Sequence, residues 1–197
     1  MKGRQIIFAR HGSTGERYLN RYIGSTEAPL AAEGEQQSRA LAYRIAAKFL
    51  PAACWASPMQ RARRTAIIVT DVLGIPTTYF EELREIDFGS WEGLSYTEIA
   101  AKNPNLLADW MANPEDFRFP DGEKIADFRV RVKSAARRLA DGDDSILVIA
   151  HGGVIRAMLC YYLGLSMDNY LLFDVQPARF SVVTLFDQGG VLSGFNL

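Results

Sequence analysis

Histidine is almost missing from this chain: among its 197 residues only His11 and His151 occur. Cysteine is as scarce, and Cys54 and Cys160 lack metal-ligand spacing. No group of His, Cys, Asp and Glu reads as a metal site, so no cofactor or metal is expected. The two thiols fall inside a predicted strand and a predicted helix and read as buried and reduced. An excess of either charge is lacking too. A net charge of −1 excludes a general attraction to nucleic acid or to anionic membranes, so a polyanion must bind through a local arginine cluster. No apolar run approaches the roughly 18 residues of a membrane span. Met1-Lys2-Gly3-Arg4-Gln5 leads straight into the first strand and leaves no room for a signal peptide. The expectation is a cytoplasmic protein with no membrane partner.

What is present is ordinary in bulk. Apolar residues make up 48% and charged residues 23%. A chain of this size forms one domain by default, here residues 1–197, and buries around 70% of its unfolded surface. The placement of the two histidines is less ordinary. Each ends an apolar run and directly precedes glycine: Ile6-Ile7-Phe8-Ala9-Arg10-His11-Gly12 and Ile146-Leu147-Val148-Ile149-Ala150-His151-Gly152. Glycine is 16 of 197 residues, so on composition alone both would precede it in under about one case in a hundred. Such a run reads as a buried strand leaving a sheet at its carboxyl end, the edge where open α/β sheets bind ligands.

Strands are expected at residues 5–9, 54–56, 77–80, 146–150, 179–186 and 191–195, the last two joined by a tight turn at Gly189-Gly190. Helices are expected at 31–49, from Ser57-Pro58 to Leu73, at 95–102, 104–111, 123–139 and 152–163. Ser57 reads as an N-cap and Pro58 as the first helical residue. Residues 113–122, with two prolines and a glycine, read as a loop. Alternating strands and helices predict an α/β three-layer sandwich, a mostly parallel sheet flanked by helices.

Three stretches carry chemistry. In Arg10-His11-Gly12-Ser13-Thr14 the arginine lowers the proton affinity of His11, and the small residues admit backbone amides to an anion. Otherwise His11 merely closes a strand. In Ser57-Pro58-Met59-Gln60-Arg61-Ala62-Arg63-Arg64 a helix amino terminus offers free N–H groups and partial positive charge, and Arg61 is placed to face the sheet edge. Arg63 or Arg64 faces water. Between Glu81 and Gly93 several acids flank Phe88, Gly89 and Trp91, and one carboxyl there can protonate a leaving group. Composition does not choose among them.

Taken in order, these elements resemble the histidine phosphatase superfamily, the phosphoglycerate-mutase-like proteins. The resemblance rests on Arg10-His11-Gly12, Pro29-Leu30 with Gly34, Ser57-Pro58 with Arg61-Ala62 and Thr65-Ala66, Glu85 with Gly89 and Trp91-Glu92-Gly93, Asp121-Gly122-Glu123, and His151-Gly152. It implies that His11 attacks phosphorus and becomes a transient phosphohistidine. It implies that Arg10, Arg61 and His151 neutralise the equatorial oxygens, with His151 cationic when substrate is bound, and that Glu85 protonates the leaving oxygen. No metal is needed by such a site, and the implied partner is a small phosphorylated metabolite bound by a monomer or homodimer.

Two positions depart from the family pattern. Arg17 stands where asparagine is usual, and Ile23 stands before Gly24 where many members carry glutamine. Arg17 either reaches the phosphoryl group or binds another acidic part of the substrate, while Arg21 supports the loop. Specificity is expected in residues 17–26 and in a cap formed by 102–122. Members that act as mutases usually carry extra segments, so hydrolysis is expected. The pattern looks most like the α-ribazole phosphatase branch. A broad-specificity or sugar-phosphate phosphatase, a mutase, and an idle phospho-ligand binding module are the alternatives.

Overall fold

The computed structural model describes residues 3–142 and 145–197. Its strands are β1 (Arg4–Arg10), β2 (Ala53–Ala56), β3 (Thr77–Tyr79), β4 (Ile146–Ala150), β5 (Phe180–Phe186) and β6 (Gly189–Gly194). They form one sheet in the order β3-β2-β4-β1-β5-β6. β2 pairs in parallel with β3 and β4, and β4 with β1, while β5 runs antiparallel to β1 and to β6. The expected α/β sheet is present, its parallel half carrying the ends that matter for function.

Strand alternation divides the core. Ile7, Ala9, Leu147 and Ile149 face a cluster with Leu41, Ile45, Ala62 and Val69 from α1 (Ala32–Ala46) and α2 (Gln60–Leu73). Ile6, Phe8, Val148 and Ala150 face the opposite cluster, with Phe128, Val132, Leu139, Val154 and Met158 from α5 (Ile125–Ala140) and α6 (Gly152–Tyr162). β1 and β4 are therefore apolar on both faces, which is why their sequences do not alternate. Two further helices join the second of these clusters, α3 (Tyr96–Lys102) through Ile99 and α4 (Pro104–Ala112) through Trp110, whose ring lies 5.7 Å from that of Trp91.

Several boundaries differ from expectation. α1 ends at Ala46 rather than at residue 49, although the amides of Lys48 and Phe49 still bond the Ile45 carbonyl. α2 starts at Gln60 with Met59 as its N-cap; the Ser57 hydroxyl lies one turn earlier, accepting from the Met59 amide at 3.4 Å and lying 2.8 Å from His151 Nε2. α5 starts at Ile125, since the backbone before it pairs outward, the Glu123 amide with the Asp87 carbonyl and the Glu123 carbonyl with the Phe119 amide. Gly189 and Gly190 lie inside β6, so the turn falls at Asp187-Gln188. The segment Met167–Leu172 forms a 3₁₀ helix that the sequence pattern does not announce.

Candidate active site

β1, β4 and β2 end side by side, with Arg10 opposite Ala150 and Ala56 opposite Ile149. The His11 amide continues the ladder to the Ala150 carbonyl at 3.0 Å, and the Ser57 amide reaches the Ile149 carbonyl at 3.0 Å. The residues leaving the three strands are thus His11, His151 and Ser57, gathered at one sheet edge. The two imidazoles, 140 positions apart in sequence, stack edge to face with centroids 5.1 Å apart.

Local sequence explains why the chain can turn away there. A Cβ on Gly12 would lie 2.4 Å from the Gly34 carbonyl oxygen, so glycine lets the start of α1 close on the strand exit. The Gly12 amide donates to Thr65 Oγ1 at 3.1 Å, which ties the exit to α2. The Gly12 carbonyl lies 2.8 Å from His11 Nδ1. A carbonyl can only accept, so Nδ1 carries the proton and Nε2 keeps the lone pair. Burial, then Arg61 and Arg10, hold His11 well below the ordinary imidazole range. His11 is thus held neutral and oriented, with its lone pair on Nε2.

His151, 1% exposed, precedes the first turn of α6. Its Nε2 lies 2.8 Å from Ser57 Oγ, and its buried Nδ1 has no partner among the described residues. Burial, Arg61 and the neighbouring His11 push its proton affinity well down, so the free site holds it neutral. The cationic form implied by the family resemblance is not the resting one. Two guanidinium groups supply the charge. Arg10 donates through Nη1 to the Val175 carbonyl at 2.7 Å, and its buried Nε has no partner among the described residues. Arg61, 1% exposed in the first turn of α2, donates to the carbonyls of Thr26, Gly24 and Ile23. Arg63 and Arg64 are exposed, as their helical positions require.

The Glu85 carboxylate accepts from the Gly153 amide at 2.8 Å and from its neighbour Ile86 at 3.1 Å. Gly153 sits in the first turn of α6, where partial positive charge favours a carboxylate. A Cβ on Gly153 would fall 2.3 Å from Glu85 Oε1 and 2.8 Å from Tyr170 Oη, so only glycine allows this approach. Burial and the charge of Glu85 push Tyr170 up from its ordinary range, which keeps its phenol neutral. Tyr170 was missed from sequence because its segment carries no periodic pattern.

A cleft of about 80 Å³ is lined by Arg10, His11, Arg61 and Glu85 at its floor and by Thr14, Tyr18, Arg21 and Ile23 at its rim. Arg17 is not among the lining residues. It is exposed, with its guanidinium 5.4 Å from the Tyr18 ring centre, and Arg21 takes the rim position instead. Arg21 also holds the loop, as expected, through the Gly93 carbonyl at 2.7 Å and Glu98 at 2.9 Å. Gly24 contributes its backbone to Arg61 rather than to the cleft surface. Residues 102–122 line none of the cleft; Phe117 and Phe119 pack against Trp91 instead. A larger hollow of about 360 Å³ near Tyr162 and Val191 carries none of these groups. Among the described residues, no three His, Cys, Asp or Glu side chains are placed to hold a metal ion.

A neutral imidazole beside two guanidinium groups, with a carboxylate alongside, suits the binding of a dianionic phosphoryl group. Residues 6–197 match the family described as histidine phosphatase superfamily (branch 1). The chain belongs to that superfamily. Phosphoserine phosphatase 1 of Hydrogenobacter thermophilus is 26% identical over 195 residues, spanning 98% of this chain and 92% of that relative. Glucosyl-3-phosphoglycerate phosphatase of Mycolicibacterium vanbaalenii is 30% identical over 181 residues, spanning 86% and 79%. The α-ribazole phosphatase structure from Shigella flexneri superposes with a TM-score of 0.86 at 23% identity, covering 98% of this chain and 96% of that one. This histidine phosphatase is a phosphoric monoester hydrolase. No described helix is long and apolar enough to cross a membrane.

Proposed function

We propose that this histidine phosphatase hydrolyses a small phosphate monoester without a metal, through a phosphohistidine on His11. The observation that carries the reading is the His11 imidazole, protonated at Nδ1 and flanked by Arg10 and Arg61. In the first step, which begins with Glu85 protonated, Nε2 forms a bond to phosphorus while the bond to the ester oxygen breaks, and Glu85 gives that oxygen its proton and becomes the carboxylate. In the second step Glu85 takes a proton from water, the hydroxide attacks phosphorus, and the P–N bond breaks to free His11 and inorganic phosphate. Arg10 and Arg61 neutralise the equatorial oxygens in both displacements, which is where most phosphoryl-transfer catalysis arises. When the Ser57 hydroxyl donates to His151 Nε2, the imidazole proton sits on Nδ1, and neutral His151 keeps one N–H to donate from beneath the cleft-lining groups.

The sequence pattern around Glu85–Glu92 and Pro120–Phe128 supports α-ribazole 5′-phosphate as the substrate. Relatives named as phosphoserine phosphatases support phosphoserine as a second reading. Hydrolysis of p-nitrophenyl phosphate tests the chemistry: the rate is expected to be unchanged by a strong chelator, and loss of activity restored by a divalent cation would overturn it. A kcat/KM panel of α-ribazole 5′-phosphate, phosphoserine, phosphoglycerates and sugar phosphates then assigns the substrate. One substrate is expected to lead by about a thousandfold, as a site built to hydrogen-bond its leaving group can achieve.

A further inference from the structure

Arg61 reaches the cleft from a helix, yet what fixes its guanidinium is a loop. Nη1 donates to the Thr26 carbonyl at 2.8 Å, and Nη2 donates to Gly24 at 2.8 Å and Ile23 at 3.2 Å. On the other side of the same loop the amides converge on one carboxylate, while the Ser25 hydroxyl donates separately to Asp87 at 2.7 Å. Glu92 accepts from the amides of Gly24 (3.0 and 3.1 Å), Ser25 (2.8 Å) and Thr26 (3.2 Å), and from Thr26 Oγ1 at 2.6 Å. It also accepts from the Phe88 amide at 3.1 Å, which anchors it to the turn that follows Glu85. Gly24 permits the approach: a Cβ there would lie 2.6 Å from Glu92 Oε1 and 1.8 Å from the Ile86 carbonyl oxygen.

The peptide units joining Ile23 to Gly24 and Gly24 to Ser25 therefore stand between a cation and an anion, carbonyls toward Arg61 and amides toward Glu92. Dipoles aligned in this way polarise one another and strengthen both sets of bonds. Five donors converge on Glu92, more than the about four lone-pair sites of a carboxylate, so they share its two oxygens, and a carboxylate carrying no hydrogen is the side chain that suits them. A glutamine of the same shape would turn an NH₂ group toward backbone N–H groups.

We infer that Glu92 is a positioning residue for phosphoryl transfer, setting Arg61 through the 23–26 loop without touching substrate. The inference rests on the proposed hydrolysis and names a determinant of that same site that the catalytic groups do not include.

The test is a double-mutant cycle of Glu92→Gln with Arg61→Ala, read by kcat/KM and by calorimetric affinity for inorganic phosphate. With Arg61 present, Glu92→Gln is expected to weaken phosphate binding and kcat/KM by about tenfold. Without Arg61 the same substitution should cost less than about twofold, because the group it acts through is gone. A merely structural role would instead lower the thermal midpoint and activity equally in both backgrounds, and that result overturns the inference. So does unchanged phosphate affinity in the folded Glu92→Gln protein. Should Glu92→Gln fail to fold, Thr26→Val removes only the 2.6 Å contact and runs the same cycle, with about a threefold effect expected. If the unmodified protein turns over no phosphomonoester, the proposed hydrolysis fails, while the phosphate-affinity arm still decides the positioning role.

Discussion

At the scale of single residues, the site is organised by where protons are not. Burial and two guanidinium groups keep His11 and His151 neutral, and the Gly12 carbonyl leaves the His11 lone pair on Nε2. This arrangement has a stability signature. Both native values lie below the reference of 6.5, so the unfolded chain binds more protons than the native one as pH falls past that point. Their stabilising contribution is complete above 6.5 and is lost progressively below it. The denaturant midpoint should therefore fall between about pH 6.5 and 5, before most carboxylates titrate, and a His11→Asn, His151→Asn protein should show a flatter curve there. An equal slope in both proteins would contradict the neutral assignment. Both histidines were legible in sequence because an apolar run followed by glycine marks a strand exit. Ser57 was read as a helix cap because Ser-Pro carries that signature equally well, and only the fold places its hydroxyl 2.8 Å from His151. Arg17 and Arg21 differ by four positions in one loop, and no periodic pattern decides which of them lines the cleft.

At the scale of elements, α6 matters through its first turn. Its free amide at Gly153 binds the Glu85 carboxylate, and the missing side chain makes room for both Glu85 and Tyr170. Gly153→Ala should displace Glu85 while leaving His11 and both arginines in place. Leaving-group protonation then fails, so the loss in kcat/KM should reach about a hundredfold for alkyl phosphates. It should be much smaller for p-nitrophenyl phosphate, whose leaving group departs without a proton. Equal losses for the two would refute the role of Glu85. Sequence alone left Glu85 as one of several acids, and the family resemblance singled it out. The helix that decides the matter, and the 3₁₀ segment bearing Tyr170, enter from more than sixty positions away.

At the scale of the whole molecule, the parallel half of the sheet brings together residues that are far apart in sequence. Strand order β2-β4-β1 sets Ser57, His151 and His11 at adjacent strand ends, and α2 adds Arg61 from the same edge. The antiparallel β5–β6 hairpin completes the sheet beside β1, and the segment before it supplies the Val175 carbonyl that holds Arg10. The α/β class and the strands carrying the histidines were readable from apolar runs, since buried parallel strands must be apolar on both faces. Loop placement was not readable in this way. Residues 102–122 hold Trp110, Phe117 and Phe119, which pack into an aromatic cluster with Trp91 instead of lining the cleft, and local composition does not distinguish those two fates.

The central claim is that His11 carries the phosphoryl group between the two displacements. The direct measurement is to mix the protein with ³²P-labelled substrate, quench in milliseconds and map the label. An acid-labile, base-stable phosphoramidate on His11 is expected, formed equally in chelator and absent from His11→Ala. Label that persists on His11→Ala, or rapid turnover by that variant, would contradict the account.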